Sequence, residues 1–397
     1  MRTGLVEGFY GKPYCPEVRE LLLRELSGRE QPTYVYAPKD DPWHRSRWVE
    51  PYPPAAWSGI ASSIRAAAGS GVSFFFGMSP IGVGEGVRDP GPAAVKALMA
   101  MDQGAAGIAV LFDDIEVASI DGRLARDQAR FVQGLLSALP SPAVLVCPTV
   151  YCLSQLEASP GAAEYLENLS EALPDELEIF WTGDDVISRS MSRETLERAL
   201  DALGRPPLVW DNYLADDYCL RRLHLASAWR RLPESGCSGY LLNPSAIQAA
   251  ALWQAGPAPE VRPGLEGWRW LSSFHHDPWS ASEPASALIR EISGRLLAHP
   301  SAGSHHSSDG ETLEKIAEAS AALSELAEAC PGLPDGFELL RYVRDLTRLL
   351  GISARAIGAP AGTGRLETLD LLLRKRLPLD HPLARELCSM IGLEGDG

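Results

Sequence analysis

The sequence lacks any run of about 18 apolar residues, so no membrane-spanning helix is expected. It is poor in positive charge. Its 36 Lys and Arg against 52 Asp and Glu leave a net charge of −16, which disfavours nucleic acid or an anionic membrane as a partner. The seven cysteines are odd in number and contain no Cys-x-x-Cys pair. That argues against a disulfide framework or a zinc ribbon and fits reduced thiols. The N-terminal Met1-Arg2-Thr3-Gly4-Leu5-Val6-Glu7 has no signal-peptide core, and a cytoplasmic location is the expectation. No Gly-x-Gly-x-x-Gly follows the first strand pattern, and Gly82-Val83-Gly84-Glu85-Gly86 reads as a loop rather than a phosphate cradle.

What is present is ample material for a core, with 45% hydrophobic residues over 397 positions. Short apolar runs alternate with helical patterns. The runs are Gly4 to Tyr10, Thr33 to Ala37, Val72 to Gly77, Gly107 to Phe112, Ala143 to Val150, Leu177 to Trp181, Pro207 to Trp210 and Gly239 to Leu242. Helices are expected at Pro16 to Leu26, Ala55 to Ala68, Ala93 to Met101, Asp127 to Leu139, Ala162 to Ala172, Ser192 to Leu203, Tyr218 to Trp229 and Ala246 to Trp253. Eight strand-then-helix units in roughly 250 residues is the size of a (β/α)8 barrel, although an open doubly wound sheet shares the local grammar. Beyond Pro257 strands stop. Trp268 to Leu271, Ala287 to Leu297, Glu311 to Ala329, Phe337 to Leu350 and Arg365 to Arg376 have helical spacing, and the polar stretch Ser301 to Ser308 reads as a linker. The expectation is an α/β catalytic TIM barrel over residues 1–256, followed by an all-helical C-terminal domain over 257–397.

The fourth strand runs straight into Asp113-Asp114. A carboxylate at a strand end is often only a cap or a turn residue. In a closed barrel, however, the C-terminal strand ends share one face. Those ends carry Gly8 and Tyr10, Lys39, Asp113 and Asp114, Tyr151, Trp181, Trp210 and Asn212, and Asn243. Carboxylates, amides and one cation among aromatic rings suit a sugar, whose hydroxyls take hydrogen bonds and whose faces stack on rings. An ordinary retaining glycosidase places two carboxyl groups about 5 to 5.5 Å apart across the scissile bond. Adjacent carboxylates on one strand end approach from nearly one side. That suits a substrate whose own 2-acetamido oxygen attacks the anomeric carbon, a known exception to the two-carboxylate scheme.

At these residues the chain resembles glycoside hydrolase family 84, the β-N-acetylglucosaminidases that include protein O-GlcNAcases. The resemblance rests on Val6-Glu7-Gly8-Phe9-Tyr10-Gly11, Tyr36-Ala37-Pro38-Lys39-Asp40-Asp41, Leu111-Phe112-Asp113-Asp114-Ile115, Cys147-Pro148-Thr149 with Tyr151-Cys152, Trp181-Thr182-Gly183, Trp210-Asp211-Asn212, Asp217-Tyr218 and Asn243-Pro244, all in the family's order. It implies Asp114 as general acid/base and Asp113 as the carboxylate that accepts the acetamide N–H. It implies Asn212 holding the acetamide, with Tyr151, Trp210 and Cys147 around its methyl group. Gly8, Lys39, Asp217 and Asn243 would bind the sugar hydroxyls. No metal and no cofactor is implied. The partner would be an N-acetylglucosamine-bearing glycoside or glycoprotein, and the helical region would support a homodimer. Two departures stand out: Val150 replaces a usual acidic residue, and Asp184-Asp185 occupy positions where Pro and a basic residue are common.

Other candidates read more simply. His275-His276 and His305-His306 lack accompanying carboxylates at ligand spacing and read as solvated loop residues. Cys147 has no catalytic His in its pattern and reads as a pocket-lining or core thiol. Trp43, His44 and Trp48 fit a substrate-covering loop or a packed rim loop equally well. Two rival functions use the same residues: a sugar-binding barrel without turnover, and another enzyme acting on N-acetyl sugars.

Overall fold

The computed structural model describes residues 1–86, 89–140, 143–217, 228–256, 265–274, 287–297, 306–359, 364–376 and 382–391. Eight parallel strands close into a barrel in chain order: β1 Arg2–Glu7, β2 Pro32–Tyr36, β3 Ser73–Met78, β4 Gly107–Leu111, β5 Ala143–Cys147, β6 Glu178–Trp181, β7 Leu208–Asp211 and β8 Gly239–Leu242. Closure is made by β8 returning to β1, with Arg2 opposite Gly239 and Leu5 opposite Leu242. The strands are apolar on both faces because the barrel interior covers one and the surrounding helices cover the other.

The interior is filled by Val6, Val35, Phe75, Ala109, Leu111, Leu145, Phe180, Leu208 and Leu241, all buried. Side chains alternate across a strand with a period of two. Extending that period past the last core layer leads from Val6 to Gly8, from Ala37 to Lys39, from Leu111 to Asp113, from Phe180 to Thr182, from Trp210 to Asn212 and from Leu241 to Asn243. The polar set is therefore the next inward layer of the same barrel.

Helices at Pro16–Leu26, Pro54–Gly69, Gly91–Asp102, Ala162–Ala172 and Arg193–Leu203 match the expected ones within two residues at either end. The helix expected from Asp127 instead spans Gly122–Ala138, because Asp121 caps it by accepting from the N–H groups of Arg123 and Leu124. A six-residue helix, Leu153–Ala158, was not expected. It is less than two turns long, too short to show helical periodicity. The helix expected at Tyr218 to Trp229 lies largely outside the described residues, and Ala228–Arg231 is a 3-10 turn.

The chain divides into two compact units. One comprises Met1–Tyr218, Ser227–Ala246 and Gln254–Pro257, and the other Cys219–Ala226, Ile247–Trp253 and Ala258–Gly397. The second contains helices Leu265–Ser273, Ala287–Leu297, His306–Ala329, Gly336–Ile357, Arg365–Arg376 and Pro382–Met390. Its core repeats at helical spacing, as in Leu339, Val343, Leu346 and Leu350, and includes Trp253 stacked on Trp268 with ring centroids 5.1 Å apart. Residues 306–308, expected to be linker, begin the helix His306–Ala329. No helix among the described residues is long and apolar enough to cross a membrane.

Candidate active site

One cavity of about 250 Å³ opens at the carboxyl ends of the strands. Its lining includes Gly8, Lys39, Asp113, Asp114, Cys147, Tyr151, Trp210, Asn212, Asp217 and Asn243, together with Tyr10, Thr182, Val186, Ile187 and Ala215. Residues separated by up to 235 positions thus meet in one place, since Asn243 Oδ1 accepts from the Gly8 N–H at 3.2 Å.

The two carboxylates have different environments. Asp113 is buried, and its Oδ2 is bonded to Lys39 Nζ. Its Oδ1 is buried with no hydrogen-bond partner. A buried acceptor left unpaired costs about 1–3 kcal/mol, so this oxygen marks where a ligand donor fits. Asp114 is about one-third exposed, and its side chain accepts from Tyr10 Oη at 3.0 Å and Tyr151 Oη at 2.9 Å. It stands at φ +51°, a left-handed conformation that Asp tolerates better than most residues. Lys39 Nζ lies 3.9 Å from Asp114 Oδ2 and so bridges the pair. Burial alone would lower the Lys39 pKa, but Asp113 and then Asp114 outweigh it and raise it, so the ammonium is retained.

The opposite walls are aromatic and amide. Trp210 packs edge-on against Phe180 at 5.2 Å, and its ring lies so close to Gly8 that a Cβ there would come within 2.3 Å of Cζ2. Only glycine leaves room for that ring. Asn243 Nδ2 donates to Asn212 Oδ1 at 2.9 Å, and Asn212 Nδ2 donates to the Val186 carbonyl at 2.8 Å, which fixes both amide orientations. Asp217 Oδ2 accepts the Tyr10 N–H at 2.7 Å. Cys147 is buried, and burial followed by the Asp113 charge pushes its thiol well up, so it lines the wall as a neutral group.

Some expectations change here. Trp181 does not line the cavity. It is fully buried on the outer face of β6, because Phe180 takes the inward position. Trp43, His44 and Trp48 form a packed rim loop. Trp48 Nε1 donates to the Ile81 carbonyl at 3.0 Å, and burial lowers the His44 pKa to about 4, leaving that ring neutral. His275, His276 and His305 lie outside the described residues. Val186 and Ile187 were missed. They sit in a loop without strand or helix periodicity, and only its position after Trp181-Thr182-Gly183 pointed to them. Among the described residues no group of three or more His, Cys, Asp or Glu is placed to hold a metal ion.

Behind the cavity, Asp216 is buried and accepts from Ser245 Oγ at 2.5 Å and the Ala246 N–H at 2.9 Å. Burial, reinforced by Asp217 and only partly offset by those two bonds, pushes its carboxyl up to about 7. Between its ordinary value and about 7 the folded chain keeps a proton that the unfolded chain releases. This contribution to stability therefore falls as pH rises across that window and is gone above it. Asp216→Asn is expected to lack this dependence. Thermal melts from about pH 5 to about pH 8 should show the variant gaining on the parent up to about pH 7 and holding a constant lead above it. A difference that is constant over the whole range would contradict the buried-acid reading.

The fold and this cavity define a (β/α)8 barrel with a carbohydrate-type site at its strand ends. A family model described as beta-N-acetylglucosaminidase matches residues 3–254. The protein O-GlcNAcase of Rattus norvegicus is 34% identical over 281 residues, covering 65% of this chain and 30% of that protein. The protein O-GlcNAcase of Mus musculus is 33% identical over the same length and shares. The chain thus spans under a third of the curated relatives it matches. Among solved structures, a mutant O-GlcNAc hydrolase of Thermobaculum terrenum superposes with a TM-score of 0.73 at 22% identity, covering 98% of this chain and 94% of its own, which is a likeness of fold. The chain belongs to the β-N-acetylglucosaminidases of glycoside hydrolase family 84.

Proposed function

We propose that this chain is an O-GlcNAcase-like, retaining exo-β-N-acetylglucosaminidase. The observation that carries the reading is the free Oδ1 of Asp113, beside an Oδ2 already bonded to Lys39. An acetamide N–H donating to Oδ1 would satisfy it and aim the acetamide oxygen at the anomeric carbon. That oxygen displaces the leaving group and closes an oxazoline ring, the acetamide N–H proton passing to Asp113 Oδ1 and returning to nitrogen on hydrolysis, while Asp114 gives its proton to the departing glycosidic oxygen. Asp114 then takes a proton from water as the water opens the oxazoline, so configuration is retained after two inversions. In this reading Trp210, Tyr151 and Cys147 enclose the methyl group and Asn212 steadies the acetamide. Gly8, Lys39, Asp217 and Asn243 bind the sugar hydroxyls.

The partner is an N-acetylglucosamine-bearing glycoside or glycoprotein. Cys147, Cys152, Cys237 and Cys330 are free thiols, which supports a cytoplasmic setting. Exposed Leu297, Phe337 and Leu371 in the helical unit support a homodimer through that region.

The test compares 4-nitrophenyl N-acetyl-β-glucosaminide with its N-trifluoroacetyl analogue. Fluorines withdraw electrons from the acetamide oxygen, and kcat/KM is expected to fall steeply. A rate indifferent to fluorination would point to a protein nucleophile. Release of acetate rather than free sugar would point to a deacetylase, and binding without product would point to a sugar-binding barrel.

A further inference from the structure

The geometry points to Arg45 as a positioning residue for Asp114, an inference that rests on Asp114 acting as the general acid/base. Arg45 lies in the packed rim loop after β2, which is anchored by the Asp41 carboxylate accepting the Trp43 and His44 N–H groups at 2.9 and 3.3 Å. From there its guanidinium crosses 69 residues of sequence to donate an Nη2–H to the backbone carbonyl of Asp114 at 2.6 Å. The same guanidinium lies over the ring of Tyr10, 5.5 Å from its centroid. Tyr10 in turn donates its hydroxyl to Asp114 Oδ2. One cation therefore touches both the backbone that carries the acid and the ring of a side chain that orients it.

That backbone needs support. A non-glycine residue in the left-handed region persists only where its surroundings over-determine it. At φ +51° the carbonyl of Asp114 takes no part in the β4 ladder, which ends at Leu111, and Arg45 supplies a donor to it. Arg45 Nε is itself buried without a partner, so this edge of the guanidinium is shut off from solvent, as expected of a side chain held in one place. Without Arg45, the 114–115 peptide loses that restraint and the carboxyl group can swing away from the leaving oxygen. Displacement of a reacting group by about 1 Å costs on the order of 100-fold in rate.

Positioning of an acid has a signature that a general structural defect lacks. Protonation matters most for aglycones that leave badly and little for those that leave unaided. The experiment measures kcat/KM for Arg45→Met and Arg45→Lys over a series of aryl N-acetyl-β-glucosaminides of graded leaving-group acidity, at matched thermal stability. The expected result for Arg45→Met is a loss of about 10- to 100-fold on the poorest leaving groups, with little loss on 2,4-dinitrophenolate. Arg45→Lys, which keeps the charge and one donor, is expected to recover part of it. Tyr10→Phe keeps the ring and is expected to show a smaller loss in the same direction, non-additive with Arg45→Met. A loss equal across the series, or none, overturns the assignment of Arg45. If Asp114→Asn also shows no dependence on leaving group, the reading of Asp114 fails and takes this one with it.

Discussion

Asp114→Asn is expected to lower kcat/KM on an unactivated N-acetyl-β-glucosaminide by about 10²- to 10⁴-fold, the usual contribution of a positioned acid or base. Asn is the informative replacement. It tolerates the left-handed backbone almost as well as Asp, and its amide oxygen can still accept from one of the two tyrosines while its NH2 donates to the hydroxyl oxygen of the other, so the wall of the cavity stays in place. What it cannot do is give up a proton. The loss should shrink markedly when the aglycone is 2,4-dinitrophenolate, which departs without protonation. Alanine at the same position would add a backbone cost of about 1–2 kcal/mol and confuse the two effects. Parent-like turnover of the unactivated substrate by Asp114→Asn would remove Asp114 from the mechanism.

Glu7→Gln is expected to destabilise the barrel by about 3–5 kcal/mol, the cost of leaving one member of a buried ion pair alone. Glu7 is fully buried next to Gly8. Its carboxylate takes Arg19 Nε at 2.7 Å, Arg19 Nη2 at 3.0 Å, Tyr34 Oη at 2.5 Å and the Tyr14 N–H at 2.8 Å. Arg19 is itself buried. Burial works against its charge, yet Glu7 overcomes that and raises its pKa. Removing the carboxylate strands a guanidinium inside the barrel wall. Denaturant unfolding should show the midpoint falling with an unchanged slope. The double variant Glu7→Gln with Arg19→Met should cost less than the two single changes summed, because the stranded charge is gone as well. Strict additivity would mean that the pair is not coupled. Since Glu7 fixes the strand that presents Gly8, residual activity in the single variant should show a raised KM.

Much of the architecture was legible because it is local. A run such as Val72-Ser73-Phe74-Phe75-Phe76 can be read as a strand from five residues, and Ser192 followed by Glu194 marks a helix start whose cap is seen at Thr195 N. The same is true of the site, up to a point. Asp113, Lys39 and Asn243 could be chosen because a strand end announces itself in the sequence and a barrel gathers its strand ends. Trp181 was misjudged for a related reason: whether the last strand residue points inward depends on the phase of a period-two pattern that is apolar on both faces and so conceals its own register.

The sequence alone determined the eight strands, the helices after most of them, the helical region beyond, and the chemical kinds of side chain that end the strands. These follow from periodicity, turn chemistry and burial, which act over a few neighbouring residues. Only the tertiary structure decided that β8 closes on β1, that Asp113 keeps one oxygen free while Asp114 is held by two tyrosines, and that Arg45 reaches the Asp114 carbonyl. Those outcomes are pairings between groups far apart in the chain. Their energies depend on distance, burial and angle in space, which no local pattern of residues records.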